Sequence, residues 1–546
     1  MISPVTSNPG LNGKVVRDVT CVNDLSADYI SKISQIAQQI YWEMRSGDPQ
    51  KYRKILTGAT CALLFSQEST RTYSSFHNAL SCLGARSIEG FRSAQESSVN
   101  KGESIFHTID TFIGQGMGTK FIVIRDGLEG SPRWAQICAF RSYAKKVREF
   151  ARVHHQTPAN LILPIIFNGG DGSHGHPSQL LLDCATFQHE FGRVTDLNFG
   201  ECNDLGGSRV FSSHLDAAPV LGWKMHICPF EGASLNSRQI LGVLRNGTSV
   251  KSFSDLKKML ALLDLLYVSR YQFNLRGEKT GEHASSIFSE EHPQISRSLV
   301  ESHGLKVFHA RPIDANAKEI SDNLNDHPLD CSGIQSDFGQ PTRMAMCIYA
   351  INKGLFSLGG IIKSIMPESI GFIRTNLNGQ AKKIDGGRYT TAFLENGFVI
   401  DHIPIGCGVA IVALIAERSP GIQLNLSMNV RGDGDDSRPK DVIKMYTPSD
   451  FEWTGGLDNL LALFTDPTSP KSCRVSRFQG GHRTEKWCWR IPEDTRGDSC
   501  VNLKCVTNDK KQGIICHHKE EMIAGKTIRI CPMCEWPQEP LALPVV

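Results

Sequence analysis

Seven short apolar runs, Cys61–Phe65, Lys120–Ile124, Leu161–Phe167, Leu197–Asp204, Trp223–Pro229, Leu262–Val268 and Leu305–His309, alternate with helical patterns. Runs this short and apolar along their length read as strands buried on both faces, and their alternation with helices calls for parallel sheets covered by helices on each side. An amphipathic helix over Ser26–Met44, with Ile30, Ile33, Ala37, Ile40 and Met44 on one face, opens the chain. The pattern predicts an α/β fold of two doubly wound parallel-sheet domains, 1–168 (completed by a closing helix at 339–355) and 169–338, meeting after the Gly-rich turn Asn168–Gly172. Residues 356–388, with Gly pairs and scattered charges, read as a linker. Beyond Tyr389 the β-like runs Phe398–Ile403, Gly421–Met428 and Val442–Tyr446, separated by turn-rich stretches such as 431–436, predict an α+β domain over 389–492 and a small β-rich unit over 493–546.

A chain of 546 residues exceeds what one core holds, and a net charge of +3, evenly mixed, argues against nucleic acid as the main partner. No apolar run reaches the roughly 18 residues of a membrane span, and Met1–Asp24 lacks a signal-type apolar core, so the expected location is cytoplasmic, away from membranes. Seventeen cysteines in a chain this long are not a disulfide framework. Four stand apart: Cys500-x4-Cys505 and, 25 residues on, Cys531-x2-Cys534. Two thiolate pairs suit a structural tetrahedral zinc ion, with Cys516-His517-His518 an alternative ligand source; no organic cofactor is expected.

The chemistry concentrates where strands end. Ser69-Thr70-Arg71-Thr72 follows the run Cys61–Phe65 and precedes a helical pattern. The unpaired N–H groups at a helix start favour a phosphate, and Arg71 adds a planar fork of donors; the plain alternative is that Ser69 only caps the helix. Ser97 and Lys101 lie in a polar loop, Arg125 ends the run Lys120–Ile124, His176 and Gln179 follow the Gly-rich turn, and Arg209, Arg270 and Gln272 come later. Each alone reads as a solvated or turn residue; together, outside the carboxyl ends of strands, they describe a cationic pocket. His174-x-His176 has no cysteine or carboxylate at recognisable ligand spacing, so it is not read as a metal pair.

The ordered motifs Ser69–Thr72, Ser97-x3-Lys101-Gly-Glu, Gly170-Asp-Gly-x3-His176-Pro-x-Gln179 and Arg270-x-Gln272 resemble those of the aspartate carbamoyltransferase family over about residues 10 to 355. The resemblance implies transfer of a carbamoyl group from carbamoyl phosphate to L-aspartate, an early step of pyrimidine synthesis. It implies that Ser69, Thr70, Arg71 and Thr72 grip phosphate, that Thr72, Arg125 and His176 polarise the carbonyl oxygen, and that Gln179 holds the carbamoyl amide. Arg209, Arg270 and Gln272 would bind the aspartate carboxylates. Ser97 and Lys101 would enter from a neighbouring subunit of a catalytic trimer, with pairing of trimers left open. The family's His-Pro-Leu-Pro stands here as His309-Ala310-Arg311-Pro312, so the backbone carbonyls of Ala310 and Arg311 would contact the amide while Arg311 adds a cation.

The C-terminal third resembles the regulatory chain of bacterial aspartate carbamoyltransferase, fused behind the catalytic chain: Val399-Ile-Asp-His-Ile-Pro404, Lys440-Asp-Val-Ile-Lys444, Arg474–Arg477 and Lys486 fall at matching positions before the cysteines. By that resemblance ATP and CTP are effectors, met by Asp401, Lys444 and Lys486; the alternative is a scaffold that binds none, and Asp433, Asp435 and Asp436 would weaken a triphosphate site. Two rival readings are weighed. An ornithine carbamoyltransferase shares the phosphate half but needs a cysteine motif absent at His309–Pro312; a non-catalytic zinc-ribbon assembly protein is opposed by the complete set of anion-binding residues.

Overall fold

The computed structural model describes residues 16–48, 50–114, 118–230, 235–271, 288–290, 292–313, 318–356, 373–376, 394–430, 439–453, 455–465, 473–490, 498–514 and 516–541. Nine strands build two parallel sheets: β1 (Thr60–Phe65), β2 (Ser87–Phe91), β3 (Thr119–Asp126) and β4 (Ile165–Asp171) in the order β2-β1-β3-β4, and β5 (Asn198–Asn203), β6 (Lys224–Pro229), β7 (Val250–Ser252), β8 (Leu265–Ser269) and β9 (Lys306–Phe308) in the order β7-β6-β5-β8-β9. Each of the seven apolar runs contributes a strand. The first sheet reverses its strand order between β1 and β3, the second between β5 and β8. At such switch points the loops leaving neighbouring strands diverge to opposite faces and open a crevice for ligand.

Burial follows the period of a strand. Cys61, Leu63 and Phe65 enter one core with the opening helix Ala27–Ser46, the closing helix Gly339–Asn352 and the aromatics Phe199, Trp223, Tyr267 and Phe308 of the second sheet. Ala62 and Leu64 enter a second core on the other face, with the helix Ser131–His154. Ser26 caps the opening helix by accepting the Tyr29 N–H at 3.2 Å.

Three local expectations change. Strand β4 runs four residues past Phe167, so Asn168-Gly169-Gly170-Asp171 is extended chain rather than a turn; Asn168 Oδ1 accepts the Gly170 N–H at 2.7 Å and supports the positive φ of 111° there. The short edge strands β2 and β7 escape the sequence pattern, because neither carries the fully buried pattern of its central neighbours. Within the stretch read as a linker, Ile373–Asn376 forms β10, which pairs antiparallel with β15 (His482–Arg490); four residues are too short a run for periodicity to announce.

The C-terminal sheet is antiparallel with the order β10-β15-β14-β11-β13-β12, where β11 is Gly397–Ile403, β12 Gln423–Val430, β13 Lys440–Tyr446 and β14 Arg474–Gln479. Helices Gly408–Arg418 and Gly455–Phe464 cover it, and Phe398, Ile400, Leu460 and Val475 continue the second core. The hairpin of β16 (Lys519–Ile523) and β17 (Lys526–Ile530) joins the four cysteines in the last unit. That unit docks on the parallel-sheet half of its own chain: the Glu129 N–H donates to Lys504 O at 2.8 Å, the Val506 N–H to Glu129 O at 2.9 Å and Asn502 Nδ2 to Glu129 Oε2 at 2.7 Å. Ile523, Ile528 and Ile530 pack on Leu241 of the second domain. Among the described residues no helix is long and apolar enough to cross a membrane.

Candidate active site

Both switch points open on one cavity of about 900 Å³. From the first sheet come Ser69, Arg71 and Thr72, at the start of the helix Thr70–Cys82 after β1, and Arg125, near the end of β3. The loop after β4 adds His176, and the first turn of the helix Pro177–Phe191 that follows adds Gln179; β5 leads to Arg209 at the start of the helix Arg209–Leu221, and β8 ends just before Arg270. Ser69 holds the N-cap backbone position but makes no side-chain cap bond, so its hydroxyl is not committed to the helix as the capping alternative requires.

Gly170 marks where the halves meet. A Cβ placed on it would lie 2.7 Å from Arg125 Nη1, 2.8 Å from Arg209 Nη1 and 3.1 Å from His176 Cδ2, at a φ that side chains rarely adopt. Arg125 Nη1 donates to Gly169 O at 2.8 Å and faces His176 Nε2 at 3.5 Å; Arg209 Nη1 donates to Gln67 Oε1 at 2.9 Å. Among the described residues none of Arg71, Arg125, Arg209 and Arg343 pairs with a carboxylate within 4.0 Å. Burial first, then Arg209, Arg71 and Arg343, push the Arg125 guanidinium down to about 9; burial pushes Arg343 down to about 10. A guanidinium keeps its proton under ordinary conditions, so these shifts express the cost of burying charge, to which crowding by like charge adds at Arg125, and an anion relieves both.

The two cavity histidines are neutral for the same reason. Burial, then Arg125, Arg209 and Arg343, hold His176 well below the usual imidazole range, and burial, then Arg270, Arg311 and Arg71, push His309 down to about 3. His176 Nδ1 sits 3.3 Å from Ser178 Oγ. Gln179 Nε2 donates to Asp183 Oδ1 at 2.9 Å, which leaves Gln179 Oε1 as the acceptor toward the cavity. Both ring nitrogens of His309 and Nε of Arg125 and Arg343 are buried without a hydrogen-bond partner. Unsatisfied buried groups of this kind around a cavity mark a ligand site.

Arg311, whose direction the sequence leaves open, donates from Nε to Ser332 Oγ at 3.0 Å and lies 3.6 Å from Asp330, yet still lines the cavity beside Ala310. Thr70 is exposed and does not line it. Ser97 and Lys101 lie outside the same chain's cavity, with Ser97 Oγ bonded to Ala94 O at 3.0 Å and Lys101 exposed. Gln272 lies outside the described residues.

A family described as "Aspartate/ornithine carbamoyltransferase, carbamoyl-P binding domain" matches residues 17–189. The catalytic subunit of aspartate carbamoyltransferase from Thermococcus gammatolerans is 30% identical over 333 residues, which is 60% of this chain and 96% of that protein. The chain belongs to the aspartate carbamoyltransferase catalytic-subunit family. The corresponding subunit of Thermococcus onnurineus is also 30% identical, over 332 residues covering 60% of this chain and 95% of that one. A solved catalytic subunit of M. jannaschii aspartate transcarbamoylase is 25% identical with a TM-score of 0.49, covering 62% of this chain and 99% of that chain.

Arg343 and Lys504 line the cavity although no sequence signal singled them out. Arg343 was legible only as part of the closing helix; it stacks on Phe76 and donates from Nη1 to Ser75 Oγ at 3.0 Å. Lys504 lies between the first two cysteines and reaches the cavity only because Glu129 docks its loop there.

The other sites are separate. In the C-terminal sheet Lys486, Ser476, Val399 and Lys444 occupy one register row, and Asp401, two residues from Val399, shares their face. Asp401 pairs with Lys440 at 3.1 Å and with His402 at 3.1 Å; burial would raise its carboxyl, but His402 and Lys440 bring it well below the usual range. Asp433, Asp435 and Asp436 lie outside the described residues. Cys500, Cys505, Cys531 and Cys534 form a buried cluster able to hold a metal ion. The Cys500–Cys534 and Cys505–Cys531 Sγ distances are both 3.7 Å, against an edge of about 3.8 Å for four sulfurs set about 2.3 Å from a tetrahedral zinc. Cys516 lies beside them, 3.9 Å from Cys531.

Proposed function

We propose that the chain transfers the carbamoyl group of carbamoyl phosphate to the amine of L-aspartate, yielding N-carbamoyl-L-aspartate and phosphate. The observation that carries this reading is the convergence of Arg71, Arg125, Arg209, Arg270 and Arg343 on one cavity beside two neutral histidines. In the reaction the aspartate nitrogen attacks the carbonyl carbon, a C–N bond forms, and the bond from that carbon to the phosphate oxygen breaks. No covalent nucleophile is needed: the protein holds two anions together and stabilises the developing oxyanion.

The assigned roles are as follows. Ser69, Arg71 and Thr72 receive phosphate, with Thr70, whose side chain points outside the cavity lining, adding only its backbone N–H at the helix start, and Thr72, Arg125 and His176 face the carbonyl oxygen. A neutral His176 donates one N–H without adding another positive charge. Gln179 Oε1 and the carbonyls of Ala310 and Arg311 take the carbamoyl amide, and Arg209, Arg270 and Gln272 take the carboxylates. Ser97 and Lys101 complete the site from a second copy of the chain in a trimer, which is supported by their position outside their own chain's cavity. Residues 1–168 with 339–355 act as the carbamoyl-phosphate domain and 169–338 as the aspartate domain, followed by the nucleotide-binding unit 389–492 and the zinc unit 493–546.

Zinc held by Cys500, Cys505, Cys531 and Cys534 is structural, and the 3.7 Å sulfur spacing supports it. Asp401, Lys444 and Lys486 receive ATP or CTP, a role supported by their shared sheet face; a shift of the aspartate saturation curve by either nucleotide tests it. For catalysis, purified protein is assayed colorimetrically for carbamoyl-aspartate, with ornithine as control acceptor. Product from aspartate alone is expected; carbamoylation of ornithine alone, or of neither acceptor, overturns the reading.

A further inference from the structure

We propose that Cys21, His174 and Glu535 form a second, mixed-ligand zinc site, separate from the four-cysteine cluster. All three are buried, and they come from the segment before the opening helix, the loop after β4 and the residue following Cys534. Cys21 Sγ lies 3.6 Å from His174 Nε2 and 3.2 Å from Glu535 Oε2, and His174 Nε2 lies 3.2 Å from that same oxygen. Sulfur, nitrogen and oxygen ligands bonded to one tetrahedral zinc at about 2.0 to 2.3 Å stand about 3.3 to 3.6 Å apart. The triangle is therefore the size of a coordination face.

Its surroundings are those of a ligand set. His174 Nδ1 is 2.8 Å from the buried Asp171 Oδ2, which fixes the ring with Nε2 toward Cys21 and Glu535; a carboxylate behind the second nitrogen is the usual support of a metal-bound imidazole. Glu535 Oε2 accepts from Arg238 at 2.9 Å, and Asn23 Nδ2 lies 3.1 Å from both carboxylate oxygens, so Oε1 can keep the Asn23 bond while the second lone pair of Oε2 turns to the ion. The cluster holds the carboxylates of Asp24, Asp171, Asp216 and Glu535 against the guanidiniums of Arg133 and Arg238. The Cys21 thiol proton leaves to solvent as the ion binds, so the thiolate and the Glu535 carboxylate supply the negative charge that faces it. Thiolate with imidazole selects zinc over magnesium or calcium. Sequence spacing gave no hint, because the three residues lie 153 and 361 positions apart.

The test is zinc stoichiometry on the full-length chain, demetallated and titrated with Zn²⁺ alone. Two equivalents per chain are expected for wild type, and one for Cys21→Ser and for His174→Asn, the remaining equivalent reporting that the four-cysteine unit is intact. One equivalent in wild type, or two in both variants, overturns the site. Wild-type crystals settle it independently of how the variants fold: anomalous maps at the zinc edge are expected to show a peak within the Cys21–His174–Glu535 triangle. Its absence in zinc-loaded crystals means that a protonated His174 bridges Asp171 and Glu535 without metal.

Discussion

His176 owes its role to its neighbours. Burial and three guanidiniums hold its ring neutral, so in the role proposed for it the ring donates a hydrogen bond without repelling the cations beside it. Loss of one preorganised oxyanion donor costs about 10² to 10³ in turnover. His176→Ala should lower kcat at least about tenfold with an unchanged melting temperature, measured by initial rates and calorimetry on one preparation. His214 behaves oppositely. Burial alone would lower it, but Glu201 at 2.8 Å and Asp183 at 3.2 Å raise it to about 9. A histidine raised in the folded state above its unfolded value of about 6.5 stabilises fully below pH 6.5 and loses that contribution as pH rises through about 9. Comparing urea midpoints of wild type and His214→Gln, the wild-type advantage should shrink between pH 6.5 and 9.5 by an amount on the order of 3 kcal/mol. The same network places Asp183 Oδ1 to receive Gln179 and Gln335, so a loss at His214 should reach the carbamoyl pocket.

At the scale of elements, the last unit is the least self-sufficient. Its one described sheet is the hairpin β16-β17, whose outer face carries Glu520, Met522, Thr527 and Arg529 to solvent. So little apolar burial leaves the metal a large share of its folding free energy. Exhaustive chelation should expose the amides of residues 519–530 to hydrogen exchange before those of β1 or β5, by mass spectrometry. Equal protection with and without metal would remove the structural role. These elements also show how much the sequence reveals. Strands buried on both faces announce themselves by an unbroken apolar run, which is why β1, β3 and β8 are the most legible, while β5 and β6 carry a buried Glu201 and His226 inside the run. Edge strands such as β2, with its Glu89 and Gly90, present water on one side and carry no such signal. The residues proposed to meet phosphate and oxyanion were legible because all but Arg125 stand in short contiguous motifs. Arg343, Lys504 and the Cys21–His174–Glu535 cluster were not, since tertiary contact alone joins residues hundreds of positions apart.

For the whole molecule, the position of Ser97 and Lys101 outside the cavity that holds Arg71 predicts a site divided between copies. Lys101→Ala and Arg71→Ala should each be inactive alone, and mixing them under verified subunit exchange should restore part of the wild-type rate, because some hybrid sites contain neither substitution. No recovery would place every catalytic group in one chain. The bonds at Glu129 carry a different consequence. Its backbone and carboxylate hold Lys504, Val506 and Asn502 of the same polypeptide, while Glu129 Oε1 accepts from Ser173 Oγ at 2.6 Å, three residues before His176. Stoichiometry between the catalytic and cysteine-bearing parts is therefore set by translation itself. A cell has no ratio of two gene products to balance, and even extreme dilution leaves the partners at the high local concentration of a tethered pair.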